Sequence, residues 1–278
     1  MASDLSARSD RALQRAVSLA HDFHAELTVV NVADDSLPQP IVERHVEEAR
    51  DILREQIASL PLASQTGIET LVAKGHDYRE IIALAEDKGA ELIVLGIHRH
   101  DTRAAFRGTA VERVIRFGVI PVLVVKDAVI RPYRRALVAT DLSIHSRAAM
   151  RLAARLVLRG ELHLVHAVDL PFKTFLDRPG QQRYIRSAQT KFSELVEQDL
   201  AQLRAELGEA MPRPVVGVLE GDTREIVRQE IGRLQPDILA VGTHGRTGLE
   251  HMVLGSVAED LLADAPLDVL AVKALDGR

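Results

Sequence analysis

The chain has 278 residues, 46% hydrophobic and 27% charged, with a formal net charge of −5. That length suits two ordinary domains or one large one, and the acidic balance gives no electrostatic reason to expect a nucleic acid or an anionic membrane as partner. The absence of cysteine excludes disulfides, a thiolate nucleophile and Cys-based zinc sites, and aromatics at 3% with no Trp leave few platforms for stacking bases.

In chain order, "MASDLSARSD" carries no apolar signal-peptide core. The longest apolar runs, "ELIVLGI" and "FGVIPVLVV", fall short of the roughly 18 residues of a membrane-spanning helix, so a cytoplasmic protein is the expectation. The first half then reads "AELTVVNVADD", "KGHDYREIIALA", "ELIVLGIH" and "IPVLVVKD". After a joint at "DAVIRPYRR" (127–135) the same series returns. "DLSARSDRALQRA" matches "DLSIHSRAAMRLA", "KGHDYREIIALA" matches "EGDTREIVRQE", and "ELIVLGIH" matches "DILAVGTH". A period this long means a duplicated domain, expected at 1–128 and 133–278, and not a solenoid repeat.

In the second half the hydrophobic period alternates. "RALVAT" (135–140) is a buried-strand run, and Ala149, Leu152, Ala153, Leu156 and Val157 then fall at helical spacing. "ELHLVHAV" (161–168) is a strand, a charged amphipathic helix covers about 181–207, and "PVVGVLE" is the third strand. "TREIVRQEIGRL" is a helix, "DILAVG" the fourth strand, "SVAEDLLADA" a helix and "DVLAVK" the last strand. Short apolar strands alternating with helices predict an α/β fold, a doubly wound parallel sheet with helices on both faces, in each half. The first half opens at Met1-Ala-Ser-Asp4 where the second has "RRALVATD", so its first strand is cut to about three residues. Either the natural start lies upstream, or the first lobe is weakened there.

Ligands of open parallel sheets bind beyond the strand C-termini where strand order reverses. Two features meet there if the first and fourth strands are neighbours: Thr140-Asp141, and the loop "VGTHGRTGLEHMVLGSVAED" (241–260). Gly242 and Gly245 would turn with positive φ and let the backbone approach a ligand, while Gly255-Ser256 opens a helix whose amides favour an anion. Ser256 would add a hydroxyl and serve as N-cap. Asp141 can equally be read as a cap of the helix that follows it.

The spacing Gly242-x2-Gly245-x9-Gly255-Ser256, with "VATDLS" and a closing "DVLAVK", resembles the universal stress protein family in its tandem two-domain form, across nearly all of both halves. The resemblance implies two five-stranded parallel sheets of strand order 3-2-1-4-5 that form an internal pseudo-dimer through their last strands, Val122–Val125 beside Val269–Val272. It also implies ATP binding in the second domain. Thr140 and Asp141 would lie near the nucleoside, Ala167 or Val168 would offer backbone to adenine, and Gly242, Thr243, His244, Gly245, Gly255, Ser256 and Val257 would surround ribose and phosphates. Mg²⁺ can accompany the phosphates, with Asp141 as a single carboxylate ligand. In the first half Arg99 and Thr102 stand where Gly245 and Gly248 are; loss of binding is expected there, although Arg99 could itself grip a phosphate.

No Walker-type Lys and no nucleophile elbow is present, and His244 is the one acid–base candidate by the loop. No dedicated catalysis is therefore expected; slow ATP hydrolysis stays open. His163 and His166 face opposite ways if extended, and together with His98 and His100 they are read as surface or half-buried residues, so no metal site is expected. The reading is a stress-response regulator that binds ATP, with a nucleotide-independent scaffold or a slow ATP-hydrolysing enzyme as rivals. The physiological protein partner is not named by the sequence, and a further homodimer is compatible with it.

Overall fold

The computed structural model describes residues 1–97, 106–128, 131–168, 178–245 and 254–274. The chain divides into two compact units, Met1–Pro132 with Pro266–Val269, and Tyr133–Ala265 with Leu270–Arg278. Among the described residues no helix is long and apolar enough to cross a membrane.

In the first unit, helix α1 (Ala7–Phe23) precedes β1 (Leu27–Ala33), then come α2 (Gln39–Ala58), β2 (Ile68–Lys74), α3 (Asp77–Asp87), β3 (Ile93–Gly96), α4 (Ala110–Phe117) and β4 (Val122–Val125). β1 pairs with β2 and β3 with β4, both in parallel. The shortened first strand survives as one residue. Ala2 bridges Val30 of β1 and Leu95 of β3, its N–H donating to the Val94 carbonyl at 3.1 Å while Ser3 N–H donates to Val30 at 2.8 Å. One expectation from the sequence was a first lobe weakened by such a stub; a single alanine is enough to link the two neighbouring strands because the backbone groups on either side of it turn to opposite neighbours. Asp268 belongs to this unit: its carboxylate accepts the amides of Lys126 and Asp127 and faces Arg15 at 3.5 Å.

The second unit contains β5 (Arg135–Ala139), α5 (Ile144–Leu156), β6 (Glu161–Val168), α6 (Arg178–Leu207), β7 (Arg213–Glu220), α7 (Thr223–Leu234), β8 (Ile238–Gly242), α8 (Ser256–Asp264) and, from Leu270 on, the last strand β9 (Asp268–Val272). Its strands lie in the order β9-β8-β5-β6-β7, so β5 and β8 flank the reversal of direction where the two sequence features were expected to meet. The central strands are buried on both faces, as their unbroken Leu, Val and Ala runs require. α5 turns Ala149, Met150, Ala153 and Ala154 inward, and its three alanines let it lie close to β5 and β8. α6 starts three residues before its expected position and continues over four turns that bury little, until Phe192, Val196, Leu200 and Leu203 reach the core.

Candidate functional site

The turn after the first strand has the same construction in both units. Thr140 Oγ1 accepts the Leu142 amide at 3.1 Å and Asp141 Oδ1 accepts the Ser143 amide at 3.0 Å; Ser3 and Asp4 do the same for Leu5 and Ser6. Leu142 and Leu5 both sit at φ +63°, a left-handed conformation costing a leucine roughly 1–2 kcal/mol. Strain held twice at matching places suits a turn that must aim one carboxylate. The carboxylates then part ways. Asp4 is wrapped by the hydroxyls of Ser6 and Ser9. In the second unit Ser146, the counterpart of Ser9, engages Thr140 and Ser143 instead.

Asp141 meets the loop after β8, as the sequence required. A β-carbon on Gly245 would stand 3.1 Å from Asp141 Oδ2, and Ser143 Oγ donates to the His244 carbonyl at 3.4 Å. The reasons for the glycines need correction. None of Gly242, Gly245 and Gly255 takes positive φ. Gly242 turns its bare face to α5, where a β-carbon would lie 2.7 Å from Ser146 N and 2.9 Å from the His145 carbonyl carbon. Its role is therefore close packing of the strand end on the helix and not contact with a ligand. The N-cap of α8 is Gly255, whose amide donates to the Thr243 carbonyl at 2.9 Å. Ser256 is the first helical residue and its hydroxyl accepts from Arg224 at 3.2 Å, so it does not cap. Val257 follows on α8, half-buried.

Thr243 is buried, its N–H donates to Val272, and its hydroxyl bonds His244 Nδ1 at 2.9 Å. The His244 ring lies 5.1 Å from that of His145, whose Nδ1 accepts the Ala274 amide. These groups brace the loop between α5 and the end of β9.

Beyond the tip of β6 lies a pocket of about 410 Å³. Ala167, Val168 and Leu142 form its strand side, and Tyr184, Lys191 and Phe192 of α6 line the other. The His166 ring donates from Nδ1 to the Thr140 carbonyl, 2.8 Å away, because that oxygen only accepts. The ring stacks on Phe192 at 4.6 Å and 4°. The family resemblance singled out Ala167 and Val168, which line this pocket, but not His166 or the residues of α6. The one available signal was an over-long helix whose first half is too polar to pack on a sheet.

His163 Nε2 bonds Glu161 at 3.0 Å, near the start of β6. Arg99, Thr102, Gly248, His98 and His100 lie outside the described residues.

In the first unit the matching helix start is already satisfied from within. Thr109 caps α4 by accepting the Glu112 amide at 3.1 Å, and the Glu112 carboxylate reaches back to the N–H of Gly108, the residue before the cap, at 3.4 Å. A carboxylate therefore already sits beside the start of α4.

Comparison with known proteins agrees with the duplicated architecture. The family model described as the universal stress protein family matches twice, at residues 1–126 and 132–273. The chain is 23% identical over 272 residues to the universal stress protein E homolog of Haemophilus influenzae, covering 91% of this chain and 84% of that protein. It is 24% identical over 271 residues to universal stress protein E of Escherichia coli K12, covering 91% and 82%. Against stress response protein NhaX of Bacillus subtilis the identity is 26% over 161 residues, half of this chain and 97% of that one. The crystal structure of a universal stress protein from Archaeoglobus fulgidus superposes with a TM-score of 0.70 at 20% identity, over 98% of this chain and 96% of the other. Two matches in tandem, set on two α/β units with the same strained Asp-Leu-Ser turn, make this chain a member of the universal stress protein family.

Proposed function

We propose that the second unit binds ATP in the crevice between the tip of β5 and the loop after β8, and that the protein is a stress-response regulator working through ligand-dependent conformation or partner choice. The observation that carries this reading is the approach of Asp141 to Gly245, a bend that a single β-carbon would crowd. The pocket at Ala167 and Val168 has a volume within the range of small-molecule sites and suits a nucleoside, with Leu142 and the His166–Phe192 stack as its walls. The phosphates would run toward Gly255 and Ser256, where the first amides of α8 point outward and favour negative charge. Bound Mg²⁺ would offset phosphate charge, with Asp141 the carboxylate placed to assist. The named polar groups orient and bind; none is arranged as a nucleophile with a base.

Calorimetric titration of the full chain with ATP tests this, together with native mass spectrometry for nucleotide retained through purification. Saturable binding well below millimolar concentration is expected. Its absence would leave a nucleotide-independent scaffold as the better account.

A further inference from the structure

The phosphate end of the proposed site is reached by a cation outside the glycine motif. Asp222 caps α7 by accepting the amides of Arg224 and Glu225 at 2.9 and 3.2 Å, which fixes Arg224 in the first turn. From there its guanidinium makes three directed contacts. Nε bonds the Asp260 carboxylate, Nη1 stands 3.6 Å from Asp222, and Nη2 donates to Ser256 Oγ at 3.2 Å. The Asp260 side chain is 9% exposed and that of Arg224 32%, while Ser256 faces solvent.

Two physical consequences follow. Asp260 lies one turn inside the helix whose N-terminal amides would hold a phosphate, and its charge opposes that attraction; Arg224 cancels it. The Ser256 hydroxyl, accepting from Arg224, keeps its own O–H to donate. A phosphate oxygen taking that hydrogen completes a chain from guanidinium to hydroxyl to anion, in which each bond polarises the next. Such an oxygen would stand about 2.7 Å from Ser256 Oγ, close enough for a guanidinium N–H to turn to it. Among the described residues of the first unit the matching groups are engaged otherwise. There Arg79 bonds the Tyr78 hydroxyl at 3.0 Å, Arg113 sits over the Tyr78 ring, and Glu112 fills the helix start.

We infer that Arg224 is the phosphate-sensing residue of the second unit: it presents the Ser256 hydroxyl to the outer phosphates of a nucleoside di- or triphosphate and attracts them itself, with Asp260 as its resting counter-ion. The inference rests on the nucleotide reading above. It assigns Arg224 to the phosphate chain alone, so adenosine gains nothing from it.

The test is titration of full-length wild type, R224Q and D260N with ATP, ADP and adenosine at one fixed salt concentration, with thermal melts of the unliganded proteins. R224Q should bind ATP about tenfold more weakly, about 1.4 kcal/mol, and leave adenosine affinity unchanged. D260N removes the same bridge between α7 and α8 but also the opposing charge, so it should bind ATP about two- to threefold more tightly. A merely structural clamp would make both variants weaker toward all three ligands, and that result overturns the inference, as does ATP affinity untouched by R224Q. Wild type that takes up no adenine ligand overturns the nucleotide reading itself, and is seen before any variant is compared.

Discussion

Asp141 Oδ2 lies 3.1 Å from the point where a β-carbon on residue 245 would stand, so the acidic strand tip and the glycine loop share one space. Gly245→Val fills that space with three carbons and must displace the carboxylate, which is tied to the Ser143 amide. The crowding falls on one side-chain end and not on backbone. ATP affinity should therefore drop at least tenfold, while the melting temperature moves by less than about 3 °C, as expected for about 1 kcal/mol in a chain of this size. Unchanged affinity would show the site to be misplaced.

Gly242→Ala should behave in the opposite way. Its new β-carbon meets backbone, 2.7 Å from Ser146 N, and backbone cannot rotate aside. β8 would have to move off α5, an overpacking cost of about 1–3 kcal/mol. Chemical denaturation should register that loss whether or not nucleotide is present.

These two glycines illustrate what the sequence could and could not tell. Spacing alone placed both at one strand-to-helix junction, and the expected neighbouring of the first and fourth strands placed that junction opposite Thr140-Asp141; strand alternation gave the parallel sheet with nearly correct boundaries. It could not say which neighbour each glycine faces, because that depends on how closely α5 approaches β8, a result of the small Ala149 and Ala153. The cap position was likewise out of reach. Ser256 fits a cap in sequence, and only the folded position of Arg224, far away in the chain, takes its hydroxyl for another use. The left-handed leucines were unforeseeable for a related reason: leucine has no propensity for that conformation, and the surrounding hydrogen bonds impose it.

One ATP per chain is the expected stoichiometry. In the first unit Asp4 already accepts two serine hydroxyls and Glu112 already answers the α4 N-terminus. A titration should fit a single site, and Gly245→Val should weaken the whole of the saturable uptake and not half of it.

At the opposite end of the second sheet, Glu161 Oε2 takes hydrogen bonds from His163 at 3.0 Å and Arg135 at 2.7 Å. His163 first and Arg135 second hold its carboxyl down at about 2. A carboxylate with a lowered folded-state pKa contributes stability above its unfolded value near 4.3, and that contribution fades as pH falls toward 2. Glu161→Gln should therefore show a lower urea midpoint than wild type at pH 7, with the two curves converging as the pH approaches 2.

The anchored half of α6 offers the reverse sign. Asp199, 4% exposed, faces Arg147 of α5 at 3.1 Å, with Arg151–Gln202 and Arg155–Glu206 continuing the same seam. Burial raises the Asp199 carboxyl above its ordinary value despite both Arg147 and Arg151, so ionised Asp199 costs the fold stability as pH rises. Asp199→Asn escapes that cost: it should be at least as stable as wild type at pH 7, and the gap should close below about pH 3.9, where both states of the wild-type carboxyl are protonated. Arg147→Ala leaves the buried charge with less compensation and should destabilise by about 2 kcal/mol at pH 7. That is less than the loss of a fully buried pair, because the Arg147 side chain is one-third exposed. Urea denaturation of both variants at pH 4 and pH 7 reads the two signs directly. A destabilised Asp199→Asn at pH 7 would mean that the ion pair outweighs its desolvation, and that α6 is held over the pocket by charge and not by its apolar stripe.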